Sequence, residues 1–165
     1  KELDLPNDQK DLLAETIGIG SLRYNVVKVQ SEKGFTFSID DALSIQGDSA
    51  PFAMYSHARM SSILRKYGGS IPDFKIENNL VESEIVLVRV MAKWEQTIES
   101  AVDKLAIHII PNFIHELSSK FNNFYRDCKV IGGTNEALRI NLVYASKRIL
   151  FDALEIIGIK APERM

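Results

Sequence analysis

Phe37-Ser-Ile-Asp-Asp-Ala-Leu-Ser-Ile-Gln-Gly-Asp-Ser-Ala-Pro-Phe-Ala-Met-Tyr-Ser-His-Ala-Arg-Met-Ser-Ser-Ile-Leu-Arg-Lys-Tyr67 reads as a short helix, a turn and a long helix. Ser38 or Asp40 suits the cap of a first helix over residues 41–46. The turn falls at Gln46-Gly47-Asp48-Ser49-Ala50-Pro51. There Gly47 can leave the helical region, Ser49 can cap, and Pro51 fits the first turn of the long helix. Beyond it Phe52, Tyr55, Arg59, Ser62, Ile63 and Lys66 recur at three and four residues, so aromatic and basic groups share parts of one helical surface.

The rest of the chain extends this helical reading. Pro6-Asn7-Asp8 signals a helix start, and Leu12, Leu13, Thr16 and Ile17 give a short amphipathic face that Gly18-Ile-Gly20 is expected to interrupt. Residues 21–29 read as a second short helix. After the break at Gly68-Gly69-Ser70-Ile-Pro72, residues 82–105 read as two successive helices with a kink before Trp94. Residues 107–128 form a long helix in which Pro111 is acceptable only within the first turn. Thr134 or Asn135 caps the last helix, which Gly158 and Pro162 stop. The fold class expected is all-α: an antiparallel bundle of four to five long helices preceded by a short N-terminal helical connector, with residues 1–36 as connector and 37–165 as bundle.

With 165 residues, 45% apolar and 25% charged, the chain can bury one real core. Its net charge of −2 gives no bulk attraction for an anionic partner, which only a local basic patch can hold. Cys128 is the only cysteine, which excludes an internal disulfide and a thiolate metal cluster and fits a reducing, cytoplasmic location. No signal peptide or membrane-length apolar run is evident. The start at Lys1 is read as that of a piece cut from a longer protein.

Catalytic constellations are sparse. His57, His108 and His115 lack the acidic or third ligand of a metal-like spacing, Cys128 has no arranged base, and Asp40-Asp41 suit capping. Binding fares better, because single-stranded nucleic acid is held by aromatic faces that stack on bases and by cations on phosphate. Phe52, Tyr55, Arg59, Arg65 and Lys66 lie on one helix, Tyr125, Arg126 and Lys129 at the end of another, and Lys147, Arg148, Lys160 and Arg164 near the terminus. The competing reading buries the aromatic residues in the core of a helical protein-interaction module and leaves Arg139, Lys147 and Arg148 on a solvated face.

Phe37-Ser-Ile-Asp-Asp-Ala-Leu-Ser44, Gly47 and Ala50-Pro-Phe-Ala-Met-Tyr-Ser-His-Ala-Arg59 with Ser62-Ile63 closely resemble the opening of the anticodon-binding bundle of arginyl-tRNA synthetases. Gly18-Ile-Gly-Ser-Leu-Arg-Tyr24 is similar to the helix joining that family's catalytic core to the bundle. Phe121-Asn-Asn-Phe-Tyr125 with Cys128, Asn135-Glu-Ala-Leu-Arg139, and the ending Gly158-Ile-Lys-Ala-Pro-Glu-Arg-Met165 match its later elements. That ending argues against the related bundle of a cysteinyl enzyme.

The resemblance implies a class I ligase that joins arginine to tRNA, with ATP and magnesium used by the full-length enzyme and no cofactor in this fragment. It implies Phe52, Tyr55, Tyr125 and Met165 as anticodon-pocket residues. His57, Arg59, Arg65, Lys66, Arg126, Lys129 and Arg164 are candidates for phosphate contacts or for bracing the bundle, while Leu43, Met54, Ala58 and Ile63 are candidates for packing. Phe52 stands where tyrosine is common and Gln46 where glutamate is. The family's His-Ile-Gly-His and Lys-Met-Ser-Lys-Ser signatures are absent from this chain, so it is expected not to aminoacylate by itself. The partners implied are an arginine-specific tRNA, through its anticodon stem-loop, and the enzyme's own catalytic core; a monomer without membrane contact is expected.

Overall fold

The computed structural model describes residues 6–76 and 79–165, and among these every regular element is a helix. The elements are α1 (Asn7–Val27), α2 (Ile39–Ala42), α3 (Ala50–Tyr67), α4 (Glu82–Met91), α5 (Trp94–Asp103), α6 (Ile109–Asp127) and α7 (Glu136–Ile156). The first residues of the expected connector, 1–5, and positions 77–78 of the loop before α4 lie outside the described residues.

Local chemistry accounts for the boundaries. Ser38 caps α2, and the Ser49 hydroxyl accepts from the Phe52 amide at 3.3 Å to cap α3, with Pro51 in its first turn. Gly47 has φ of 83°, and Gly68 ends α3 at φ 71°, so both occupy the left-handed region open to glycine. Pro111 falls in the first turn of α6, where its missing amide costs no helical bond.

α6 and α7 form a central pair, with α3 and α4 each packed against both of them. Ring contact of Phe52 with His115 and a hydrogen bond from Arg59 to Asn122 show that α3 and α6 run in the same direction. Ser83–Cys128 and Lys93–Glu116 contacts show that α4 runs against α6, while Glu84–Arg139 and Ser146–Met91 show it parallel to α7. α6 and α7 are thus antiparallel, and α3 and α6 lie side by side as a parallel pair. Met54, Leu87, Ile114, Phe121, Ile140 and Leu150 are fully enclosed between them. Trp94 closes one side by stacking on Phe113 at 4.9 Å.

Four expectations change. The short helix expected over residues 41–46 is the single turn Ile39–Ala42, capped by Ser38. Gly18-Ile-Gly20 does not break the first helix: α1 is continuous for 21 residues. Gly18 has open space around it, whereas a Cβ on Gly20 would lie 2.3 Å from Met54 Cε, so Gly20 is where α1 crosses α3 closely. Leu43, assigned to packing, is exposed, because α2 ends at Ala42 after a single turn and leaves nothing to cover it. Arg139, placed on a solvated face, is buried: its Nε donates to Glu84 Oε1 at 2.6 Å and its Nη1 to the Lys129 carbonyl at 2.9 Å. Cys128 is buried at the end of α6, and Met54, Ala58 and Ile63, expected to pack, are core residues. Tyr24 joins α1 to the bundle, its enclosed hydroxyl donating to Asp48 at 2.6 Å with the Pro111 carbonyl 3.0 Å away. Burial, and then the Asp48 carboxylate, push the Tyr24 phenol far above its ordinary range. No helix among the described residues is long and apolar enough to cross a membrane.

Candidate nucleic-acid interface

Because α3 and α6 run parallel, the middle of α3 lies level with the last turns of α6. Tyr55 and Arg59, four residues apart, share one face of α3, and Asn122 and Tyr125, three apart, share one face of α6. The Arg59 guanidinium lies 4.6 Å from the Tyr55 ring centroid and 5.2 Å from that of Tyr125. Its Nη1 donates to Asn122 Oδ1 at 2.7 Å and its Nη2 to the Tyr55 hydroxyl at 3.0 Å. Tyr125 stacks on Phe121, 6.4 Å away at an interplanar angle of 16°, and Phe121 is fully buried. The two tyrosines are therefore held from below yet remain exposed.

Beside this cluster opens a cleft of about 350 Å³. Ala58 and Ser62 lie along its α3 side, Tyr55, Arg59 and Arg65 frame it, and Arg164 and Met165 of the C-terminal tail complete it. Three cationic and no acidic side chains line it among the described residues, so the local field favours an anion despite the chain's net negative charge. Exposed aromatic faces, a thioether and guanidinium donors around one opening are the chemistry that accepts an unstacked base and its phosphates.

The tail owes its place to a buried histidine. His57 is completely enclosed, and its Nδ1 donates to the Pro162 carbonyl at 3.0 Å. Burial holds the imidazole below its ordinary range; the Pro162 bond opposes this and the nearby Lys147 charge adds to it. The neutral ring, with Nε2 unbonded among the described residues, packs 6.1 Å from Phe151. Lys147 pairs with Glu163 at 2.8 Å, and Arg23 of α1 donates to the Gly158 carbonyl. His57 thus braces the tail and has no surface to offer a phosphate.

Of the sequence candidates, the structure brings together Tyr55, Arg59, Tyr125, Arg65, Arg164 and Met165. Phe52 stays outside the cleft, half-buried on α3 with its ring 5.7 Å from His115. Lys66 and Lys129 are exposed away from the cleft lining, and Arg126 pairs with its neighbour Asp127 at 3.2 Å. Asn122, which the structure places against Arg59, is not among the sequence candidates, although it lies inside Phe121-Asn-Asn-Phe-Tyr125. Its spacing of three from Tyr125 is the available signal.

A family model described as the DALR anticodon binding domain matches residues 53–165. The arginine–tRNA ligases of Thermococcus kodakarensis and Pyrococcus abyssi are 40% and 39% identical to the chain over its full length. The chain spans only 27% of each of those relatives. Among solved structures, Thermus thermophilus arginyl-tRNA synthetase superposes with a TM-score of 0.86 at 28% identity, covering 98% of this chain and 28% of that one. The arginyl-tRNA synthetase of Plasmodium falciparum gives 0.85 at 25% identity, covering 94% of this chain and 28% of its own.

Proposed function

Because the chain belongs to the DALR anticodon binding domain family, we propose that it grips the anticodon loop of an arginine-accepting tRNA as one part of a longer arginine–tRNA ligase. The observation that carries this reading is the cleft lined by Tyr55, Arg59 and the tail's Met165, with the exposed Tyr125 ring beside it against Arg59. Tyr55 and Tyr125 are 37% and 42% exposed, which supports base stacking over the rival module with all its aromatic residues in the core. Among the described residues Arg65 and Arg164 make no ion pair of the kind that occupies Arg126, and they offer phosphate contacts at the rim. Phe52 serves as packing against His115 at the flank of the site.

On this proposal residues 1–36 link the bundle to the part of the ligase that holds ATP, magnesium and arginine, and the chain alone does not aminoacylate. The ligase works as a monomer in the cytoplasm. A titration of the chain with an arginine anticodon stem-loop, against one whose middle cytosine is changed, tests the reading. Weak binding that prefers the cytosine is expected, and the phosphate contacts made by the basic rim give it a salt dependence. Equal binding of both loops at low salt would overturn it.

A further inference from the structure

Arg59 is not held by its own helix alone. Asn122, reaching across from α6, accepts from Arg59 Nη1 at 2.7 Å, and its own Nδ2 donates to Ser56 Oγ at 2.9 Å. Ser56 is buried and passes the chain on by donating to the Phe52 carbonyl at 2.9 Å. The Asn122 amide is thereby oriented at both ends, with its oxygen committed to Arg59 and its nitrogen to α3. A guanidinium has several donors in a fixed planar fork, so fixing one corner fixes the directions of the others. With Nη2 bonded to the Tyr55 hydroxyl as well, the guanidinium is fixed at two corners in a residue that lines the cleft.

Cytosine presents two adjacent acceptors, N3 and O2, on its pairing edge, whereas uracil presents a donor at N3. A fork of N–H groups held in one orientation matches the first and clashes with the second; a swinging one accommodates both.

We propose that Asn122 is the positioning residue of this site, fixing the Arg59 guanidinium against Tyr55 and Tyr125 so that the cleft prefers cytosine over uracil. The proposal rests on the anticodon-loop reading above, and it names how that site selects its base.

The test measures binding of the full 165-residue chain to two RNA hairpins that differ only in cytosine or uracil at the middle loop position. Asn122→Ala is expected to lower the cytosine-over-uracil ratio by about tenfold, the scale of one hydrogen bond to a charged group. Asn122→Asp, which keeps the acceptor for Arg59, is expected to retain the ratio. Adding Asn122→Ala to Arg59→Ala should reduce the ratio no further, because the two act as one unit. A structural defect would instead weaken both hairpins equally and leave the ratio intact. An unchanged ratio in Asn122→Ala, or strict additivity in the double variant, overturns the role of Asn122 while leaving the anticodon reading in place. If Asn122→Ala does not fold, Asn122→Leu, which fills the same space but accepts no hydrogen bond from Arg59, takes its place, and an unchanged ratio there refutes the proposal. Absence of any cytosine preference in the unsubstituted chain removes the anticodon reading and this inference together.

Discussion

Replacing Arg139 by alanine removes the cation from a carboxylate that water does not reach. Glu84 has no exposed surface, with Oε1 taking the Arg139 Nε–H at 2.6 Å and Oε2 the Val81 amide at 2.7 Å. Arg139 also donates to the Lys129 carbonyl, and the chain passes so close here that a Cβ on Gly133 would sit 2.2 Å from that oxygen. Truncation strands a buried charge and leaves the Lys129 carbonyl without this donor, which costs about 3–5 kcal/mol. For a domain of this size each kcal/mol lowers Tm by about 2–4 °C, so a fall of about 6–20 °C is expected. Removing both charges, with Glu84→Leu and Arg139→Met, should recover most of the loss, because apolar packing avoids desolvating either ion. The Val81 cap is then lost, at a cost of about 1 kcal/mol. Circular dichroism melts and urea midpoints of the three proteins decide the matter. If Arg139→Ala lies within about 1 kcal/mol of the parent, the pair does not hold α4 to α7, and if the double variant is as weak as the single one, the stranded charge is not the cause.

Gly18→Ala should stabilise the chain by about 0.5–1 kcal/mol, since alanine favours helix and nothing lies near the new Cβ. Gly20→Ala gains the same propensity but drives its Cβ into Met54 and Ile159, so a net loss of about 1–2 kcal/mol in urea titrations is expected. Tyr125→Ala should weaken anticodon-loop binding by about 1–3 kcal/mol, the worth of one stacked base, while leaving Tm nearly unchanged because the ring is already exposed. A large drop in Tm would make Tyr125 a core residue. His57 has a folded-state pKa below its unfolded value, so the unfolded chain takes up the proton first as pH falls. Its contribution is complete above about pH 6.5 and declines below it by up to about 1.4 kcal/mol per pH unit until the folded pKa is reached. His57→Gln should flatten that part of a stability–pH curve, and an unchanged slope would show that other groups carry it.

The helix ends at Ser49, Gly68 and Pro111 and the faces of the long helices are legible in the sequence because they are local, acting within one turn. Asn135, expected to cap α7, instead stands at its start in the left-handed region, and its side chain makes no cap bond to that helix. What one dimension does not record is the level at which two helices meet. Phe52 and Arg59 lie on nearly the same stripe of α3, seven residues or about 10 Å apart along its axis. The stripe alone therefore offers both equally to a ligand. The separation follows from α6 running parallel to α3, which places His115 opposite Phe52 and Asn122 with Tyr125 opposite Arg59. The tail then makes the choice: His57 anchors Pro162, so Arg164 and Met165 reach the level of Tyr55 to Arg65 and line the cleft there. Gly20 misleads for the same reason, since a helix break and a close crossing both call for glycine and only the position of Met54 separates them. Arg139 shows the converse error, in which a basic residue is taken as solvated although Glu84, 55 residues earlier in the chain, is in place to receive it. Face follows from periodicity, whereas level follows from loop length and helix direction, and in this bundle level decides which aromatic residues are free to meet a base.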